Sequence, residues 1–425
     1  LGMLLVGNAA QAQKIDMHGT DGQQNHDHSH VDGHDHDHEE LNPTIALPQS
    51  DHNHADQTRK MLNAVQVNGK DFASNVRIDQ KHAALFGRLL VQNIDGRIEP
   101  TNTLALEILR RVHGKEKFYN LDANQFLLSV SIDPLKWVNV PLINIGSKGG
   151  KNILAKLKAD ENGYTSMVNL ITMAADGSAE FILANDYKTA FAKKPADQGT
   201  YDKFVLELND KLYAMQQLLD GQYLRVLPLA GNDNNQWVAM PFNPVNNQAL
   251  SNPVAMYFAS ILAAQQSNDW SGVDSKLNHI SKLQLKHGKE IVPSEAKIDW
   301  EIRYNSWNIF LKLMIVYSLL GTVILVLAFW KLFKQSKLLD RTITVVLILI
   351  ATTAALQCMG LGVRWYISGH EPWSNGYEAV LFISWIGVLS GLLMYRNSNA
   401  FIPAAGCLVA VILMGFAHGG SQMSP

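Results

Sequence analysis

Hydrophobic residues are spread very unevenly along this chain. Four runs, at about 308–332, 342–366, 377–395 and 400–418, are almost continuously apolar, and each approaches the ~20 residues that a helix needs to cross a hydrocarbon core. Only short polar joints separate them, so burial of all four inside a soluble core is the poorer account. A mainly polar stretch precedes them. The pattern predicts a soluble region up to about residue 306 and then four transmembrane helices.

Within the polar part the period of the apolar positions changes from segment to segment. FGRLLVQNIDGRIEP, from Phe86, reads as a strand at Leu89–Gln92, a turn at Asp95-Gly96 and a short return ended by Pro100. TNTLALEILRRVHG follows with a capping Thr, apolar residues at helical spacing (Leu104, Ile108, Leu109, Val112) and Gly114 as a stop. A second helix is expected at Ala123–Val130, before Asp133-Pro134, and VNVPLINIG at 138–146 has the β-branched content of a strand. SMVNLITMAADGSAEFILAN, from Ser166, fits either a hairpin about Asp176-Gly177 or two short helices. YDKFVLELNDKLYAMQQLL, from Tyr201, carries an amphipathic stripe of Phe204, Leu206, Leu212, Met215 and Leu218 or Leu219. Further helices are expected at 252–266, at 270–286 and from Ser294 towards the membrane.

The beginning of the chain is different again. LGMLLVGNAAQAQ, residues 1–13, has no initiator Met and no basic flank, but joins an apolar run to a small-x-small ending at Ala10–Ala12. That is the expected end of a signal or transmembrane segment, and the missing Met favours a fragment. Residues 14–67 are polar and His-rich without periodicity, so a disordered linker is expected. The domain reading is then 1–13, 14–67, a soluble region at 68–306 and a membrane region at 307–425.

Charge orients the membrane part. Lys331, Lys334, Lys337 and Arg341 follow the first run and Arg396 the third, whereas ISGHEPWSNG at 367–376, after the second, has no Lys or Arg. Basic joints stay in the cytoplasm. The fold class expected is therefore a mainly α membrane protein, in which an extracytoplasmic, mainly helical α+β region precedes four transmembrane helices. A formal net charge of -2 offers no electrostatic footprint for a nucleic acid. The only cysteines, Cys358 and Cys407, lie in apolar runs outside any CxxC or CxxCH pattern. The chain is thus neither a thiol oxidoreductase nor itself a c-type cytochrome.

Two stretches carry candidate chemistry. His26, His28, His30, His34, His36, His38, His52 and His54 alternate with carboxylates, a supply of imidazole that suits Zn or Cu but imposes no geometry on either. The reading is metal capture by a flexible arm or a solvated linker, and composition leaves both open. RWYISGHEPWSNGYEAVLFISW, residues 364–385, gathers Arg364, Trp365, Tyr366, His370, Trp373, Tyr377, Glu378 and Trp385 at one membrane face. Such rings also make an ordinary interfacial belt. A flat apolar cofactor with carboxylates would use the same set: rings to stack, a basic residue for the acids and an imidazole for the metal.

PWSNGYEAVLFISW resembles the entry to an early transmembrane helix of CcsA/ResC-type cytochrome c biogenesis proteins, the System II family. GVRWYISGHEPWSNGYE and HAALFGRLLVQNIDGRIEPTNTLALEILRRVHGKEKFY resemble fusions that join a ResB-like part to a CcsA-like part. The resemblance covers about residues 81–425, making 68–306 ResB-like and 307–425 the start of CcsA. It implies an assembly factor in the bacterial inner membrane, with its soluble region in the periplasm, that handles heme for covalent attachment to apocytochrome c. Heme, apocytochrome c, the remaining CcsA and ResB parts and the membrane are the partners implied. Arg364, Trp365, His370, Trp373, Tyr377, Glu378 and His418 are the implied heme contacts. The family's Trp-rich heme segment normally follows these spans, so the chain to Pro425 is expected to be at most part of a heme lyase and inactive alone.

Overall fold

The computed structural model describes residues 67–146, 149–173, 179–229, 235–239, 252–288, 291–371, 373–396 and 399–419. The expected leader and most of the His-rich stretch lie outside these residues. The chain divides into two compact units: one of Leu1–Arg97 and Leu104–Glu290, the other of Ile98–Thr103 and Ile291–Pro425.

Local signals start the helices of the first unit. Asn68 accepts from Lys70 and Asp71 N–H to open α1 (Gly69–Asn75), and Asp79 accepts from His82 N–H to open α2 (Gln80–Phe86). Strand β1 is Leu90–Gln92, β2 is Ile98–Pro100, and α3 is Thr101–His113. The pairs β3–β4 (Lys117–Phe118, Leu121–Asp122), β5–β6 (Ile143–Asn144, Tyr164–Thr165) and β7–β8 (Ile171–Met173, Ala179–Phe181) are all antiparallel. Between them α4 (Ala123–Ile132) begins with a capping box in which Asp122 and Gln125 bond reciprocally. Helices α5 (Ala184–Phe191) and α6 (Thr200–Leu219) precede β9 (Arg225–Pro228) and β10 (Trp237–Ala239), and α7 (Pro253–Ser267) and α8 (Ser271–His287) close the unit.

Among the described residues no strand exceeds four residues, so the ladders depend on the helices around them. Phe86, Leu109, Phe118, Phe126, Leu127, Trp137, Met215, Tyr257 and Ile280 form one continuous apolar core. Two side-chain amides finish what the short strands leave unpaired. Gln284 accepts from Leu90 N–H (3.2 Å) and donates to the carbonyls of Leu90 (2.7 Å) and Val226 (2.8 Å). Gln92 accepts from Trp237 N–H at 2.8 Å and donates to the Asn235 carbonyl at 3.2 Å. Each buried backbone group so paired avoids a desolvation cost of ~1–3 kcal/mol.

Several expectations are adjusted here. The 138–146 stretch is a strand only at Ile143–Asn144, because Pro141 cannot donate to a ladder. The 166–185 stretch takes the hairpin form, β7 with β8, and its turn lies outside the described residues. Val205 and Leu208 belong to the buried stripe of α6, whereas Leu206 is only half-buried.

Besides Ile98–Thr103, the second unit contains α9 (Glu295–Trp307), capped by Ser294. Asn308, in the left-handed region (φ 46°, ψ 45°), separates it from α10 (Ile309–Phe333). Helices α11 (Lys337–Ser368), α12 (Gly376–Tyr395) and α13 (Phe401–Gly419) follow. The described residues hold four helices long and apolar enough to cross a membrane, and the chain is an integral membrane protein. The spans run antiparallel to their neighbours: Lys331 meets Asp340 across α10–α11, and Phe329 meets Phe401 across α10–α13. Their closest packing is between α12 and α13, where Gly387 and Gly391, four residues apart, face Gly406. A Cβ on Gly406 would stand 2.9 Å from the Gly387 carbonyl oxygen. Close backbone approach through small residues is how helices gain contact where lipid supplies no hydrophobic drive.

Candidate functional site at the α11–α12 loop

The site sits where α11 ends and α12 begins. Gly369 takes φ +79° and its N–H bonds the Trp365 carbonyl at 2.9 Å, a stop that a side chain would strain. Asn375 then caps α12 by accepting the Glu378 N–H at 2.8 Å. The loop between these two caps is short.

Beneath it lies a buried ion pair. Arg364 Nε donates to Glu378 Oε1 at 2.6 Å, with the two side chains 13% and 2% exposed. Ser374 Oγ donates to the other carboxylate oxygen at 3.0 Å, tying the loop to the pair. The guanidinium lies 5.1 Å from the centre of the Tyr377 ring, and Tyr304 of α9 stands beside it. Trp373 leans on Phe382, ring centres 5.1 Å apart, and Phe382 on Trp385 at 6.0 Å. The carboxylate is therefore satisfied from two sides and the cation from at least one, as a pair withdrawn from water requires.

About two helical turns below is a second polar centre. Tyr317 of α10 donates to Gln357 Oε1 at 2.9 Å, and Gln357 Nε2 donates to Ser384 Oγ (2.9 Å) and to the Leu381 carbonyl (3.1 Å) of α12. Trp385 Nε1 donates to the Ala354 carbonyl at 2.9 Å. Gln357, Tyr317 and Ser384 are fully buried. Both N–H donors of the Gln357 amide are used and its oxygen accepts from Tyr317, so this centre binds three helices to one another. Arg364 and Gln357 are seven residues apart on α11, and their partners Glu378 and Ser384 six apart on α12. The loop thus surmounts a hairpin clasped at two levels.

The residues expected from the sequence divide accordingly. Arg364, Tyr377 and Glu378 come together, but they face one another. Trp365 and Trp373, both 54% exposed, and His370 are the groups that face outward. His418 is exposed near the end of α13, at the same end of the bundle, since Gly415 packs near Met314 and Phe310 near Gly360. Tyr304, Ser374, Gln357, Ser384 and Tyr317 were not anticipated. A Gln inside an otherwise apolar run was the available signal for Gln357.

Among the described residues no group of three or more His, Cys, Asp or Glu could hold a metal ion. The histidines from His26 to His54 lie outside them, and nothing supports the metal-capture reading. The buried histidines of the first unit are structural. His82 has Asp274 at 2.6 Å on Nδ1 and the Tyr257 hydroxyl at 2.8 Å on Nε2, which joins α2 to α7 and α8. His113 points Nδ1 at the Leu142 carbonyl, 2.9 Å away, and burial holds its pKa below the usual value, keeping it neutral.

Protein NrfI of Wolinella succinogenes is 30% identical over 338 residues, which are 78% of this chain and 36% of that protein. A cytochrome c biogenesis protein CcsA of Synechococcus sp. is 39% identical over 79 residues, 19% of this chain and 24% of that protein. A CcsA of Prochlorococcus marinus is 36% identical over 74 residues, 17% of this chain and 23% of its own length. The chain spans little more than a third of NrfI and about a quarter of each CcsA. No family model matches.

Proposed function

The chain belongs to the CcsA/ResC-type cytochrome c biogenesis proteins, and from that premise we propose that it handles heme on its way to apocytochrome c, with the α11–α12 loop facing the heme. Heme here is cargo. The observation that carries the reading is the exposed imidazole of His370 between the exposed indoles Trp365 and Trp373, on a loop held by the buried Arg364–Glu378 pair. Indole faces suit a flat apolar ring and an imidazole suits its iron. The guanidinium that would otherwise meet the heme carboxylates is committed to Glu378, so Arg364, Glu378 and Tyr377 position the loop and do not touch the cargo. His418 is the second imidazole at that end of the bundle.

The chemistry asked of these residues is placement. Thiol addition to the heme vinyl groups needs the ring correctly faced and shielded, and a rigid loop supplies orientation without taking part in bond making. The Lys-rich joint of Lys331, Lys334, Lys337 and Arg341 argues for a cytoplasmic α10–α11 turn. The loop and the first unit then lie in the periplasm of a bacterium, where the CxxCH motif of an apocytochrome is met. The remaining CcsA and ResB segments are partners on this reading.

The test is cytochrome c maturation by the full-length protein carrying Trp373→Ala, Glu378→Gln or His370→Ala, with membrane level monitored. Trp373→Ala and Glu378→Gln are expected to lower the yield of heme-attached cytochrome c at normal protein level. Wild-type yield from all three would reduce the loop to a membrane anchor and remove this reading.

A further inference from the structure

Helix α9 presents an outward face that the heme reading does not use. Ala296, Trp300, Arg303 and Trp307 recur at intervals of four, three and four, and all four are exposed, Trp300 by 37% and Trp307 by 42%. The two indoles are edge to face with ring centres 6.0 Å apart. The opposite side of the helix is closed by contacts within the second unit. Ile298 and Glu301 are buried, Thr103 donates to Glu301 at 2.8 Å, and Asn305 donates to Asn102 and Thr103 at 3.2 and 3.0 Å. An aromatic and basic stripe has thus been left outside, whereas the outward face of a helix that meets only water carries few large rings.

Two observations bear on how α9 meets the bundle. Asn308 leaves the helical region, so α9 does not simply prolong α10. Lys297 and Tyr304 are seven residues, ~10 Å, apart along α9, yet they meet Tyr366 and Arg364, which are only two residues, ~3 Å, apart along α11. Both contacts fall on the last turns of α11, so α9 lies beside the end of the bundle that carries the α11–α12 loop. Trp307 is joined through Asn308 alone to a span whose outward residues, Ile315 and Leu319, face lipid.

We propose that α9 lies in the headgroup layer of the leaflet on the side of the α11–α12 loop, with Trp300 and Trp307 at the boundary with the hydrocarbon and Arg303 at the phosphates. The occupant of the stripe is lipid, because the face is continuous with the lipid-facing surface of α10 and combines the two residue types that settle at that depth. Tyr366, exposed at the end of α11, extends the same belt. The inference rests on the membrane spans and is independent of the heme reading.

Site-directed spin labelling tests it on the full chain in phospholipid nanodiscs. With Cys358→Ala and Cys407→Ala as background, labels are placed by Trp300→Cys, Arg303→Cys and Ser306→Cys. Lys194→Cys, exposed on the first unit, and Leu319→Cys, on the outward side of α10, serve as references. Collision with a water-soluble nickel chelate should fall, and collision with oxygen should rise, from 194 to 303 to 300, with 300 short of 319. Nickel access at 300 and 303 equal to that at 194 overturns the proposal. Protection of these sites from both reagents also overturns it, since a protein surface would then cover the stripe.

Discussion

Replacing Glu378 by Gln keeps the shape of the side chain and removes its charge, leaving the Arg364 guanidinium, 13% exposed, without its counter-ion. Breaking a buried pair from one side costs ~3–5 kcal/mol. Here the pair lies near the end of the bundle, and a Gln oxygen can still accept from Arg364, so ~2–3 kcal/mol is the expected loss. Glu378→Leu should cost more, because Ser374 also loses its acceptor. Arg364→Leu with Glu378→Leu should recover most of the loss, since no charge is then stranded among apolar groups. The assay is reversible denaturant unfolding of the full chain in mild detergent, followed by tryptophan fluorescence and read as a double-mutant cycle. Coupling of ~2 kcal/mol or more is expected. Single variants within ~0.5 kcal/mol of wild type and an additive double variant would mean that the pair is solvated, and the argument that it stiffens the loop would fall.

Other perturbations probe the rest of the scaffold. Gln357→Leu strands the Tyr317 hydroxyl and the Ser384 hydroxyl loses a partner; a loss of ~1–2 kcal/mol is expected in the same assay, and Tyr317→Phe in the Gln357→Leu background should add little. Gly406→Leu drives its side chain into the Gly387 carbonyl at a 2.9 Å approach, so α12 and α13 must separate; a loss of ~1–3 kcal/mol is expected in the same assay, and unchanged stability would refute the close crossing. Asp220 ends α6 with its carboxyl half-buried, and burial raises its pKa to about 6 from ~3.9 in the unfolded chain. A raised carboxyl pKa means that the folded state binds the proton more tightly, so stability is highest below pH ~4 and falls as pH rises to ~6. Asp220→Asn should therefore stabilise by ~1–2 kcal/mol at pH 7.5, after allowance for solvent, and by almost nothing at pH 4; a pH-independent effect would exclude titration as the cause.

What the sequence determined by itself was the part governed by composition and by short-range spacing. Four apolar runs placed four spans, because a bilayer selects on length and polarity and needs no knowledge of partners. Helices were legible from Ala123, from about 252 and from Ser294, and the structure caps them with Asp122, Asn252 and Ser294, since a cap acts on N–H groups two or three residues away. The place of the loop and the family were equally legible, because the motif from Pro372 to Trp385 is continuous in the chain. Tertiary structure decided the rest. Arg364 and Glu378 read as a basic and an acidic group offered to a ligand, and only the antiparallel approach of α11 and α12 turns them towards each other. Gln357 is one polar letter in an apolar run until Tyr317, forty residues before it, and Ser384, twenty-seven after it, arrive from two other helices. The stripe of Trp300, Arg303 and Trp307 was open to inspection as a spacing, but only the break at Asn308 and the contacts with the end of α11 show which side of α9 is left outward. Pairings between distant residues depend on how whole helices pack, and no local period in the sequence encodes them.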